Sequence, residues 1–178
     1  MAAMQVLVVP HKAEWRDDFK RESALIGRAL DGLTDAIHHI GSTSIPGIYA
    51  KPIIDIMVEV SHIAEVDSRN PAMEELGYEC MGEFGIEGRR FFRKDNKKGI
   101  RTHHVHIFET KSSHVIRHLA FRNYLIEHSD VALEYSSMKQ KLVCEHPEDM
   151  ESYIAGKDPF IKRVEQDALE WLRLKNTQ

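Results

Sequence analysis

The stretch HHIGSTSIPGIYAKPIIDIMVEV, residues 38–60, decides how this chain folds. Its second half, Pro52 to Val60, is almost entirely apolar and opens on a proline. A short apolar run of this kind reads as a strand covered on both faces, the pattern of a central strand. Asp55 and Glu59 are its only charges, and with Met57 between them they share one face, because strand side chains alternate. A carboxylate inside such a strand is costly unless it is paired or binds a cation. Asp55 is therefore the sharpest anomaly in the sequence, read as a functional carboxylate against the plainer alternative of an ion pair with Lys51 or an arginine. Glu59 reads as the solvent end of the strand, with at most a supporting role.

The first half of the stretch is a turn. A strand ending at Ile40 runs into Gly41, Ser42 and Thr43, then into a helical turn. Such a turn can aim backbone N–H groups and hydroxyls at a phosphate, and glycine lets the backbone come close. Lys51, just before the strand, can meet a phosphate as a point charge. His38 and His39 border the turn, and His39 can orient it or touch a ligand. A plain glycine turn capped by Ser or Thr is the competing reading.

Working outward, Gln5–Val9 reads as a short strand, residues 11–30 as an amphipathic helix, and 36–40 as a strand. A helix over 71–76 stops at Gly77, and 78–81 is a short strand. Residues 89–93 and 102–109 read as paired strands joined by the turn DNKKG. Everything after Ser112 is helical: about 113–127, 130–144, 147–155 and 159–174, the last capped by Asp158 with Pro159 in its first turn. Strands early and helices late predict one α+β domain over 1–178, with a sheet-containing core to about 110 and a helical part from about 112. Trp15, Phe121, Tyr124 and Trp171 read as core or subdomain contacts.

The third chemical segment is RTHHVHIFE, 101–109. His104 and His106 alternate on one strand face and could bind a divalent metal or act as acid and base. His103 points the other way, toward solvent. The run also resembles the histidine-triad hydrolases, but Phe108 stands where their nucleophilic histidine belongs, which argues against that chemistry. Arg89, Arg90, Arg93 and Arg101 form a basic cluster, of which Arg89 and Arg101 are candidates for phosphate. His114 and His118, one helical turn apart, read as a solvated face.

Taken together, HHIGSTSIPGIYAKPIIDIMVEV, ELGYE, GIEGRRFFRK, RTHHVHIFE, RHLAFRNYL and YIAGKDPFI resemble the GrpB family over almost the whole chain. That family looks like an outlying branch of the nucleotidyltransferase superfamily. The resemblance implies a nucleotidyltransferase-like mixed β-sheet flanked by helices. It also implies a nucleotide phosphate at Gly41-Ser42 and a metal at Asp55, with twelve residues between Ser42 and Asp55. The superfamily's second carboxylate falls at position 57, where this chain carries Met57. Asp55 with His104 and His106 offers ligands for one ion (Mg, Mn or Zn), with the same three residues carrying the chemistry.

Bulk numbers bound the rest. At 178 residues with 42% hydrophobic and 29% charged residues, the chain fits one soluble globular domain. The net charge of -4 argues against a DNA partner. No apolar run approaches the roughly 20 residues that cross a membrane, and no signal-like segment opens the chain. Two cysteines, Cys80 and Cys144, without a C-x-x-C pattern fit reduced thiols and a cytoplasmic protein. The 11 histidines would turn -4 into +7 if all were protonated. Five of them fall in the two candidate segments, so binding there is expected to depend on pH between about 5.5 and 7.5.

The leading expectation is a metal-dependent nucleotidyltransferase-like protein that uses a nucleoside triphosphate and a small acceptor. The competing readings are a nucleotide- or phosphometabolite-binding protein without transfer activity and a metal-dependent phosphoesterase built on Asp55, His104 and His106.

Overall fold

The computed structural model describes residues 5–178. Helix α1 (Glu14–Leu30) precedes strand β1 (Thr34–Ile40), a single 3-10 turn (Ser42–Ser44) and strand β2 (Ile54–Val60). A second 3-10 segment (Ile63–Arg69) leads to α2 (Asn70–Glu75), β3 (Tyr78–Cys80), β4 (Arg90–Asp95) and β5 (Arg101–Glu109). Helices α3 (Ser113–Glu127), α4 (Ser129–Glu145) and α5 (Met150–Asn176) complete the chain.

Among the described residues, five strands form one mixed sheet in the order β1-β2-β5-β4-β3. β2 and β5 run parallel, and the other neighbouring pairs are antiparallel. This is the α+β mixed sheet with flanking helices that the sequence predicts. The parallel register pairs Asp55 with His104 and Met57 with His106. One sheet face therefore carries Asp55, Met57, His104, His106 and Phe108. The other carries Ile54, Ile56, Val58, Val105 and Ile107, all buried.

That apolar face packs against Trp15, Ile26 and Leu30 of α1 to form the main core. The opposite face is apolar only in part: Ile40, Met57 and Phe108 pack under Val115 of α3. So β2 is covered on both sides, which is why its sequence is so hydrophobic. Asp55 escapes this cover because it lies near the strand's beginning, beyond the end of that small cluster.

Two expected elements differ. Gln5–Val9 makes only an isolated bridge, Val9 to Ala50. Its Val6 N–H donates instead to the Pro147 carbonyl at 2.9 Å, and its side chain packs with Leu142 and Tyr153. The helices thus take the groups that a strand would have used. The expected helices 147–155 and 159–174 are one helix, α5. Its N-cap is Asp149, whose side chain accepts from the Ser152 N–H at 3.0 Å, not Asp158. Pro159 sits inside that helix on its exposed side. Proline there forfeits one intrahelical bond, but burial of Phe160, Val164 and Ala168 just beyond it holds the helix through. No helix among the described residues is long and apolar enough to cross a membrane.

His103 is not exposed. It faces the α1 side, and its Nε2 lies 3.9 Å from Glu22 Oε2. Glu22 is 7% exposed, accepts a 2.7 Å hydrogen bond from the Tyr78 hydroxyl and pairs with Lys94. Burial alone would raise its pKa, but the bonds from Lys94 and Tyr78 outweigh that and hold it low. Removing one partner of such a cluster strands the other charge. Glu22→Ala is therefore expected to cost about 3–5 kcal/mol of stability, read from urea unfolding, whereas truncating the exposed Glu75 should leave the midpoint unchanged.

Candidate functional site

Gly41 begins the site. Its φ of 72° lies in the left-handed region, and a Cβ there would stand 2.6 Å from Asp55 Oδ2. Only glycine lets the turn close onto the carboxylate. The Ser44 hydroxyl and backbone N–H both donate to the Gly41 carbonyl, at 2.5 and 3.1 Å, and tie the turn shut. His39 lies on the α1 side of the sheet, stacked on Phe19 with ring centroids 4.8 Å apart. Its Nε2 is 2.9 Å from Thr43 Oγ1. It braces the turn from behind and does not face the Asp55 side. Burial lowers its pKa to about 4, so it stays neutral.

Asp55 is held by both strand histidines. His104 Nδ1 and His106 Nε2 lie 3.3 and 3.6 Å from Asp55 Oδ1. The far nitrogens face arginines: Arg101 Nη1 is 3.4 Å from His104 Nε2, and Arg89 Nη1 is 3.4 Å from His106 Nδ1. A guanidinium only donates, so these contacts favour the tautomer in which the far nitrogens accept and the near nitrogens donate toward Asp55. Burial would push the Asp55 carboxyl up, but these bonds hold it well below the usual range, as a carboxylate.

Arg101 also pairs with Asp95, and Arg89 donates to the Phe84 and Glu83 carbonyls. Both arginines are thus committed to backing the histidines. Glu59 pairs with His38 at 2.5 Å, near the far end of β2. His118 is not on a solvated face: its ring packs 5.9 Å from that of His106, and burial takes its pKa down to about 3. His114 stacks on Phe108 at 4.9 Å.

Gly41, Ser42, Thr43, Lys51, Asp55 and His104 line one cavity of about 290 Å³. The sequence placed these residues in three separate segments, and the fold brings them together. His106, Arg89 and Arg101 stand behind it; His39 and Glu59 lie elsewhere. The opposite wall comes from the helical part: Phe121 of α3, Tyr135 and Lys139 of α4, and Tyr153, Ile154 and Lys157 of α5.

Tyr135–Lys139 and Tyr153–Lys157 are the same device twice, a tyrosine and a lysine one helical turn apart. The Lys139 ammonium lies 4.2 Å from the centroid of the Tyr135 ring, and Lys157 lies 4.7 Å from that of Tyr153. Cation–π contact is the favourable geometry here. Lys139 is 1% exposed and its Nζ has no hydrogen-bond partner among the described residues. The sequence reading passed over these four residues. The signal that could have found them is Tyr-x-x-x-Lys recurring on successive helices.

The donor set can be tested against a metal. The imidazoles of His104 and His106 both lie against one oxygen of Asp55, Oδ1, and Met57, at the position of the superfamily's second carboxylate, is fully buried under α3. Among the described residues no three His, Cys, Asp or Glu side chains converge as a metal site requires. As arranged, with both imidazoles turned onto Asp55 and backed by arginines, the three residues do not fit a shared ion.

Charge and pH now centre on the lysines. Burial lowers Lys139 to about 7, helped by Lys157 and Lys51, and lowers Lys157 to about 8, helped by Lys51. Lys51 is also lowered by burial, against the pull of Asp55. With its folded pKa below the ordinary 10.5, Lys139 burdens the folded state fully below about pH 7. Between about 7 and 10.5 the unfolded chain holds the extra proton, so stability rises with pH. Lys139→Met should accordingly raise the urea midpoint at neutral or acidic pH. That gain should shrink as the pH climbs toward 10.5; a pH-independent gain would contradict this assignment.

Comparison with known proteins places the chain. The family described as GrpB protein matches residues 5–167. UPF0157 protein YqkA of Bacillus subtilis is 41% identical over 172 residues, which are 97% of this chain. This chain spans only 50% of YqkA's length. Glutamate-rich protein GrpB of Alkalihalophilus pseudofirmus is 33% identical over 163 residues, 90% of this chain and 94% of that protein. The crystal structure of conserved protein GrpB from Enterococcus faecalis superposes with a TM-score of 0.89 at 42% identity, covering 93% of this chain and 99% of that one. The chain belongs to the GrpB family.

Proposed function

We propose that this protein binds the phosphate groups of a nucleotide or a phosphorylated metabolite in the cavity between the Gly41–Thr43 turn and the α4–α5 wall. The single observation that carries the reading is Lys139: a buried ammonium without a hydrogen-bond partner, lining a cavity that it shares with Lys51 and Lys157. A buried cation in that state is costly unless an anion completes it. The Gly41-Ser42-Thr43 turn on the facing wall adds hydroxyls and main-chain donors of the kind that hold phosphate oxygens. At about 290 Å³ the cavity is at the small end of ligand sites, suited to phosphate groups with a compact organic body. Phe121, Tyr135 and Ile154 supply apolar surface for that body.

Transfer to a small acceptor is the second reading, and one observation favours it. His104 and His106 both bind Oδ1 of Asp55, while Oδ2 faces the turn. A carboxylate oriented in this way could take a proton from an acceptor hydroxyl poised against the bound phosphate. The phosphoesterase reading has less support, because His106 does not line the cavity. Turnover of labelled triphosphate in a metabolite extract, followed by product analysis, separates binding from transfer.

The binding itself is tested by thermal shift with pyrophosphate and ATP, each with and without Mg²⁺. A ligand at about a hundred times its Kd adds about 2.7 kcal/mol, or about 5–10 °C for a chain of this size. Gly41→Ala, whose Cβ would collide with Asp55 Oδ2, should lose the shift while remaining folded by circular dichroism. The absence of any shift for the unaltered protein at millimolar ligand, with or without metal, would end the phosphate reading.

A further inference from the structure

We infer that the cavity takes a di- or triphosphate without a divalent metal, with Lys51, Lys139 and Lys157 supplying the counter-charge. This rests on the phosphate reading above and goes beyond it by naming the charge class of the ligand and the means of its neutralisation.

The argument begins with the lining. Its ionisable side chains are three ammonium groups, one carboxylate, His104 and the phenols of Tyr135 and Tyr153. Asp55 already has two imidazoles against Oδ1, at 3.3 and 3.6 Å. Magnesium or manganese at a phosphoryl site needs several hard oxygen ligands, and Asp55 is the only carboxylate on these walls. Position 57 cannot add another, since Met57 is sealed beneath Ile40, Phe108 and Val115.

Charge points the same way. Lys51 and Lys157 both interact with Asp55 through space. A divalent ion placed at Asp55 would be repelled by both, in surroundings where burial weakens solvent screening. A phosphate chain entering with its own negative charges meets attraction from all three lysines.

Geometry completes the case. The lysines come from three elements: Lys51 from the segment before β2, Lys139 from α4 and Lys157 from α5. They do not pair with any carboxylate of the helices. Among the described residues, Lys51 donates only to the Met150 sulfur, at 3.7 Å, and Lys139 lies over a tyrosine ring without a hydrogen-bond partner. Three separated ammonium groups match an anion with charge spread over two or three phosphoryl groups better than a single phosphate monoester. Each is a point charge on a flexible stem and needs no fixed bidentate geometry.

The decisive experiment is calorimetric titration of the full chain with pyrophosphate, ATP and orthophosphate, first in EDTA and then in excess Mg²⁺ or Mn²⁺. Pyrophosphate and ATP should bind in EDTA, more tightly than orthophosphate, and metal should leave the affinity unchanged or weaken it. Lys139→Met and Lys157→Met should each weaken pyrophosphate binding by about tenfold to a hundredfold in EDTA, the worth of a charged hydrogen bond. The melting temperature of each ligand-free variant controls for misfolding, and Lys51→Met provides an independent variant outside α4 and α5. Binding that requires metal would overturn this inference and leave the phosphate reading standing. Metal-free binding that survives both Lys139→Met and Lys157→Met would overturn the lysine assignment. No binding by any of the three compounds, with or without metal, would overturn both readings together.

Discussion

The parallel pairing of β2 with β5 is the constraint on which the rest depends. Its register sets Asp55 beside His104, Met57 beside His106 and Glu59 beside Phe108. From that alignment come two neighbouring zones on one sheet face. Where Met57 and Phe108 meet, α3 seals the face with Val115. Where Asp55 and His104 meet, near the beginnings of both strands, the face stays open as the floor of the cavity. A slip of one residue would send Asp55 into the α1 core and Ile54 toward the helices, a cost that fixes the register.

The carboxylate is thus tolerated because it is placed at an edge of the core with the imidazoles of His104 and His106 at 3.3 and 3.6 Å. Arginines behind the histidines contact both rings, so Arg101, His104, Asp55, His106 and Arg89 form one polar network. Networks of this kind are favourable only when every member is satisfied. Here the network itself is satisfied, and the unsatisfied group lies across the cavity, at Lys139. The site's unfinished business is therefore cationic, on a wall that the strands do not contribute.

Much of this was legible in the sequence. The apolar run 52–60, the glycine turn before it and the alternating histidines of 101–109 marked both strands and the residues of the cavity floor, because period-two patterning survives any tertiary context. Two long helical segments, α3 and α4, agree with the structure within a residue or two. The break at Asp158-Pro159 misled, since local proline chemistry cannot weigh the burial of Phe160 and Val164 that carries α5 past it. His118 misled in the same manner: a polar residue on a helix reads as solvated until the partner that covers it is known. The helical wall escaped notice because a single lysine on a helix carries no signal, and only the pairing of Tyr135–Lys139 with Tyr153–Lys157 across α4 and α5 does.

By itself, the sequence determined the α+β class, the strands β2 and β5, the close approach of Gly41 and the anomaly of Asp55. These follow from side-chain alternation, from the cost of burying charge and from the backbone freedom of glycine, all of them local. The tertiary structure alone decided that the rings of His104 and His106 face Asp55, that Met57 is buried under α3, and that Lys51, Lys139 and Lys157 converge on one cavity. Those outcomes depend on which surfaces meet, and lysines separated by 88 and 18 residues in the chain share a cavity only because α4 and α5 dock above the open end of the sheet.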